Sequence, residues 1–223
     1  MECAQRRPQL SAAEKLDVDP AHTLMTWEEY MAFDTSPDVK YEFVPKTRQS
    51  AGGPVLGRLV AMAGATFDHT SVKDNVAGEL RERFKDADCQ ALTSDIKVRC
   101  ENGRGAYPDV VVVCGPRETE PREDDKSPLV LLNPKVVVEV LLDSTEAADR
   151  GEKFEAYCGI VSLEEYVLIP PDGRPVCRFL RTEAGWLLTR HDPRSGELPF
   201  ESLGVSVPMA EVFRGVTLPE PIV

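Results

Sequence analysis

The chain has 223 residues, enough for one sizeable core, and its 42% hydrophobic and 29% charged content is that of an ordinary globular protein. Thirty-eight acidic against 26 basic residues give a formal charge of −12, which argues against a broad basic face that coats nucleic acid. It does not exclude an acidic metal site, whose bound ions offset the charge.

Residues 1–23 read as a flexible lead-in and 24–223 as a single domain. Met1 to Pro20 is polar and lacks an apolar centre, so no secretory signal is expected. No apolar run reaches the roughly 18 residues of a membrane span. The six cysteines form no CxxC pair, so neither a disulfide framework nor a zinc site is expected, and the compartment reads as cytoplasmic. Cys100, Cys114 and Cys177 read as reduced, buried small hydrophobes.

Thr26 and Glu29 form a capping box that opens a short helix through Phe33, ended by Ser36-Pro37-Asp38. Lys40 to Val44 alternates and reads as a strand or the end of a helix, with Arg58 to Met62 as its hairpin partner across a long loop, Pro45 to Gly57. Val72, Val76, Leu80 and Phe84 recur every four residues and predict a helix over 70–85 with one buried stripe. Cys89 to Arg99 has strand composition, and Gly103-Arg-Gly105 turns the chain back. Pro116 to Pro128 is an acidic solvated loop. A helix is predicted from Glu146 to Tyr157, capped by Asp143-Ser144-Thr145, then a strand over 165–169, hairpin strands near 176–181 and 185–190, and a last helix from Pro208 to Phe213.

Two valine runs dominate the middle: Ala106 to Cys114 and Pro134 to Leu142. Continuous apolar runs of this length predict strands covered on both faces at the centre of an α/β sheet. Each carries one carboxylate, Asp109 and Glu139, and an ionised carboxylate in such a place must be paired, hydrogen-bonded or bound to a cation. Taken singly, each candidate also has a plain structural reading. Asp109 can be a turn feeding a strand, Glu139 the partner of a structural arginine, Glu42 a surface strand residue, and Lys153 an exposed helix lysine.

A strand carboxylate, a turn, a second strand carboxylate and a helix lysine together resemble the PD-(D/E)xK nuclease superfamily. In detail the chain resembles the Uma-two family of restriction-endonuclease-like proteins. The matching segments are Tyr41 to Val44, Ala61 to Ala65 with His69, Ser94 to Arg99, Tyr107-Pro-Asp-Val-Val-Val-Val-Cys114, Val137 to Leu141, Ser144 to Tyr157 and Ser162 to Ile169. The resemblance implies an α/β fold, a mixed central sheet flanked by helices with extra β-hairpins. It further implies a Mg²⁺- or Mn²⁺-dependent DNA endonuclease, with Asp109, Glu139 and the backbone carbonyl of Val140 as metal ligands, Glu42 assisting and Lys153 activating water. Hard oxygen ligands favour those cations over zinc.

The superfamily lysine two residues after the second carboxylate is here Leu141, and Lys153 on the following helix replaces it. Asp149 and Tyr157 lie four residues to either side of Lys153 and are expected to orient its amine. Asp95 is expected to be accessory, and His69 a hydrogen bonder rather than a ligand. The loop 45–57 replaces a tight hairpin, and Leu142-Asp143 stands where Ser-Pro is usual. The expected assembly is a homodimer pairing through the hairpin at 176–190. The alternative from another class is a catalytically inactive nuclease-fold protein serving as a regulatory or protein-interaction module; a nuclease acting on RNA is a further alternative.

Overall fold

The computed structural model describes residues 23–33, 39–46, 55–62, 64–93, 95–121 and 129–220. The lead-in 1–22, the break at 34–38, most of the 45–57 loop and the acidic stretch 122–128 lie outside the described residues.

A six-stranded sheet forms the centre. Its order is β11(Gly185–His191), β10(Val176–Thr182), β9(Glu165–Ile169), β8(Val136–Val140), β6(Val110–Cys114), β3(Cys89–Thr93). β8 runs parallel to β9 and antiparallel to β6, so the sheet is mixed. Both valine runs occupy central strands, as continuous hydrophobicity predicts. The two-residue period of the strands divides them between two cores. Val110, Val112, Val136, Val138 and Val140 pack under helix α2(Phe67–Arg83). Val111, Val113, Val137 and Leu141 pack against helix α4(Glu152–Cys158) through Ala156 and Tyr157. By the same alternation Asp109 and Glu139 belong to the α4 face.

The predicted stripe Val72, Val76 and Leu80 is fully buried, with Phe84 just beyond the helix end. α2 starts three residues earlier than its apolar period indicates, because Thr66 caps it by accepting from His69 N–H at 3.1 Å.

A second, five-stranded sheet has the order β2(Gly57–Ala61), β1(Tyr41–Pro45), β5(Gly105–Ala106), β4(Lys97–Arg99), β7(Val130–Leu131). The capping box at Thr26 and Glu29 forms as expected and starts helix α1(Trp27–Phe33). This helix packs on the small sheet, where the Arg99 guanidinium stacks 3.4 Å above the Trp27 ring. Lys97, fully buried, sits 3.9 Å from the Tyr30 ring centre.

Several expectations need correction. Cys89 to Arg99 is two strands in two different sheets, β3 and β4, parted by a turn at Asp95 and Ile96. The helix expected over 146–157 breaks at Gly151 (φ −117°, ψ −98°) into α3(Glu146–Arg150) and α4. Thr145 does not cap it; its hydroxyl instead donates to Asp149 Oδ2 at 2.8 Å. The last helix, α5(Met209–Val212), starts one residue after Pro208. A hairpin of β12(Glu197–Phe200) and β13(Val205–Pro208) was not foreseen. Cys89 and Cys114, directly opposed across β3 and β6, form a disulfide, contrary to the expectation of reduced thiols. The spacing of 25 residues carries no pairing signal; only strand register brings the two together.

Candidate active site

The β6–β8 register sets Val110 opposite Val138, so one residue further Asp109 faces Glu139 where the strands begin and end. The backbone N–H of Val140 donates to Asp109 Oδ2 at 2.8 Å, and Asp109 N–H points at Glu139 Oε2 across 3.4 Å. The two carboxylates are therefore neighbours on one wall, with no arginine paired to either among the described residues. Both are buried, Glu139 at 3% exposure and Asp109 at 9%.

Helix α4 brings Lys153 onto this wall. Its ammonium lies 2.9 Å from Asp149, 3.0 Å from Glu42 and 3.4 Å from Glu139. The Asp149–Lys153 spacing of one helical turn survives the break at Gly151. Tyr157, one turn further on, donates to Glu139 Oε1 at 3.2 Å rather than orienting the lysine. Leu141, at the usual lysine position, is buried in the core beside Tyr157. Its place there explains why the cation comes from the helix.

Glu42 arrives from the other sheet, on β1, and is anchored by Arg104 Nη2 at 3.1 Å. Arg104 was read only as part of a turn. It is 5% exposed, and its residue type between two glycines is the sole sequence hint that a guanidinium enters the interior. His69, 6% exposed at the start of α2, places Nε2 3.2 Å from Asp109 Oδ2. Asp95 does not reach the site: its side chain is 85% exposed and pairs with Lys40.

Glu42, Asp109, Glu139, Asp149, His69, Arg104 and Lys153 all line one cleft of about 240 Å³, joined by Arg58 and Lys73. Five carboxylates (Glu42, Asp109, Glu139, Asp149 and Glu152) and four cations (Arg58, Lys73, Arg104 and Lys153) line it, an excess of one formal negative charge. The titration behaviour follows from burial first and from these neighbours second. Burial pushes the Glu139 carboxyl well above its usual range; Lys153 opposes this, and Asp149, Asp109 and Glu42 add to it. Burial pulls Lys153 down, but Glu139, Glu42 and Asp149 outweigh it and hold the ammonium well above the ordinary lysine value. Burial, then Glu139, raises the Tyr157 phenol, which stays a donor.

Among the described residues, no three His, Cys, Asp or Glu side chains form a ready-made metal cage. Glu42, Glu139 and Asp149 turn toward Lys153, and Asp109 toward N–H donors. The donor chemistry nonetheless suits a hard divalent cation: carboxylate oxygens in excess of the cations lining the cleft, and an Asp109 Oδ1 that accepts no hydrogen bond among the described residues. Asp109 and Glu139 are the residues placed to hold one.

Comparison with known proteins agrees with this architecture. A family model described as "Putative restriction endonuclease", Uma2, matches residues 27–210. Two uncharacterized proteins of Synechocystis sp. are similar: slr1290 is 29% identical over 191 residues, covering 85% of this chain and 91% of that protein. The other, sll1609, is 27% identical over 184 residues, covering 82% and 96%. A crystal structure from Anabaena variabilis, titled a putative nuclease belonging to DUF820, superposes with a TM-score of 0.61 at 13% identity, over 85% of this chain and 97% of that one. The fold is thus the nuclease-like mixed α/β fold, and the family supports a nuclease function with nucleic acid as substrate. The chain belongs to the Uma2 family of restriction-endonuclease-like proteins.

Proposed function

We propose that this protein is a Mg²⁺- or Mn²⁺-dependent endonuclease that hydrolyses phosphodiester bonds of DNA. One observation carries the reading: two buried carboxylates stand side by side on adjacent central strands, with a helix lysine on one of them. When bound, a divalent cation supplies Lewis acidity toward the phosphate and makes water a stronger nucleophile at neutral pH.

The chain's own residues do the rest. Asp109 and Glu139, with the Val140 carbonyl beside them, define where the cation sits. Lys153 remains an ammonium, so it is not the proton acceptor; it orients water and stabilises the extra charge of the pentavalent phosphorane. Glu42, 3.0 Å from that ammonium and held by Arg104, orders the attacking water and receives its proton as the new P–O bond forms and an ester P–O bond breaks, the leaving oxygen taking up a proton from solvent. Arg58 and Lys73 on the cleft wall give local positive charge toward phosphates that a chain of net −12 lacks overall. Two copies pairing along β11, where Leu187 and Leu188 are exposed, would address both strands of a duplex.

The test is cleavage of plasmid DNA with Mg²⁺ or Mn²⁺ by the wild type, Glu139→Ala and Lys153→Ala. Metal-dependent cutting by the wild type and its loss in both variants is expected. Absence of metal-dependent cutting, or equal cutting by all three, removes the proposal.

A further inference from the structure

We propose that His69 is a positioning residue for the cation site: it pins one oxygen of Asp109 so that the other is presented to the metal. The inference rests on the nuclease reading above and assigns a role to a side chain that the reading does not use.

Two groups converge on Asp109 Oδ2: the backbone N–H of Val140 donates to it at 2.8 Å, and Nε2 of His69 lies within ion-pair distance at 3.2 Å. The first comes from the neighbouring strand and the second from α2, so the carboxylate plane is fixed from two directions. Oδ1 receives no hydrogen bond among the described residues and is left for a cation. The His69 ring is buried at the start of α2. Thr66 caps its backbone N–H at 3.1 Å, and the side chain is only 7% exposed.

The tautomer separates positioning from ligation. Nε2 faces a carboxylate oxygen, so it carries the proton; two lone pairs at that distance would repel. Nδ1 is buried with no hydrogen-bond partner. Were Nε2 to bind a cation directly, the proton would move to Nδ1, where no acceptor receives it. Histidines that ligate metals almost always donate their second N–H to such an acceptor. The surroundings of His69 therefore suit a donor to Asp109 and not an inner ligand.

The experiment uses the full chain and Mn²⁺ without substrate, following free Mn²⁺ by electron paramagnetic resonance. Residues that orient a ligand typically change metal affinity by about 10–100-fold when removed, so His69→Ala is expected to weaken Mn²⁺ binding by about tenfold or more. His69→Gln, whose amide N–H can reach Asp109, should recover most of the loss, whereas the shorter His69→Asn should not. The Gln and Asn pair carries the comparison should the alanine variant fail to fold. Unchanged affinity in His69→Ala, or equal loss in the Gln and Asn variants, overturns the donor role while leaving the nuclease reading intact. Nitrogen modulation from an imidazole in the Mn²⁺ spin-echo spectrum overturns it too, by making His69 a ligand. A wild type that takes up no Mn²⁺ removes the nuclease reading, and this inference with it.

Discussion

Replacing Lys153 with methionine tests the electrostatics of the site without reference to catalysis. The ammonium is shared by Asp149 at 2.9 Å, Glu42 at 3.0 Å and Glu139 at 3.4 Å, at 8% exposure of the residue. Methionine keeps most of the stem's packing, so the change is chiefly one of charge. Removing one side of a buried ion pair costs about 3–5 kcal/mol. Glu42 keeps Arg104 at 3.1 Å, which argues for the lower end, about 3 kcal/mol. For a chain of this size that is a fall in Tm of roughly 6–12 °C. The sign with pH follows from Glu139, whose carboxyl burial already pushes well above its usual range. A group raised in the folded state contributes stability below its ordinary titration range and loses it as pH climbs through the raised value. Lys153 restrains that rise, so Lys153→Met should be destabilised most near pH 8 and least near pH 5. Thermal melts followed by circular dichroism in chelator measure both effects. Equal Tm for the two proteins at pH 8, or the same deficit at both pH values, would refute the reasoning.

Uptake of Mn²⁺ should favour the ionised form of Glu139, whose carboxyl burial pushes upward, so affinity should increase with pH. Calorimetry in buffers of different ionisation enthalpy reads the released proton, and a pH-independent affinity contradicts the raised carboxyl. Denatured protein should gain two reactive thiols on reduction, because Cys89 and Cys114 are joined. Cys100, pushed up to about 12 chiefly by burial, should stay unreactive in the native protein at pH 8. In Gly105→Ala the new Cβ would meet the Trp27 ring at 2.5 Å. Overpacking of this kind costs about 1–3 kcal/mol, and a shift in tryptophan emission should accompany the loss of stability in urea.

Much of the centre was legible because one residue pattern allows few structures. Valine runs as long as those around Asp109 and Glu139 can only be covered strands, and an acid inside such a run announces a compensating group. Lys153 was reachable because α4 follows the second run closely and Leu141 is apolar where a lysine is usual. What escaped was whatever depends on contacts distant in sequence. Nothing near Arg104 says that its guanidinium meets Glu42 on another strand, and nothing near Cys89 names Cys114 as its partner. Gly151 breaks a helix that the flanking periodicity reads straight through. The two-residue strands β5 and β7 are too short to show a period at all. His69 sits at a helix start, as its place in the sequence indicates, but the neighbour of its ring, Asp109, is set by how α2 docks on the sheet.

The route between the two sheets has a consequence of its own. Glu42 and Arg104 hang from the five-stranded sheet, Asp109 and Glu139 from the six-stranded one, and the shortest of the chain's crossings between them, β5 to β6, runs through Tyr107 and Pro108 to Asp109. A nascent chain emerging from the ribosome thus holds no complete constellation when β6 has formed, nor when β8 has. Asp109 and Glu139 meet once β6 pairs with β8, but Glu42 joins them only where the two sheets pack together, and Lys153 only with α4 in place. The full constellation therefore needs both sheets and α4 together, and neither sheet by itself holds it.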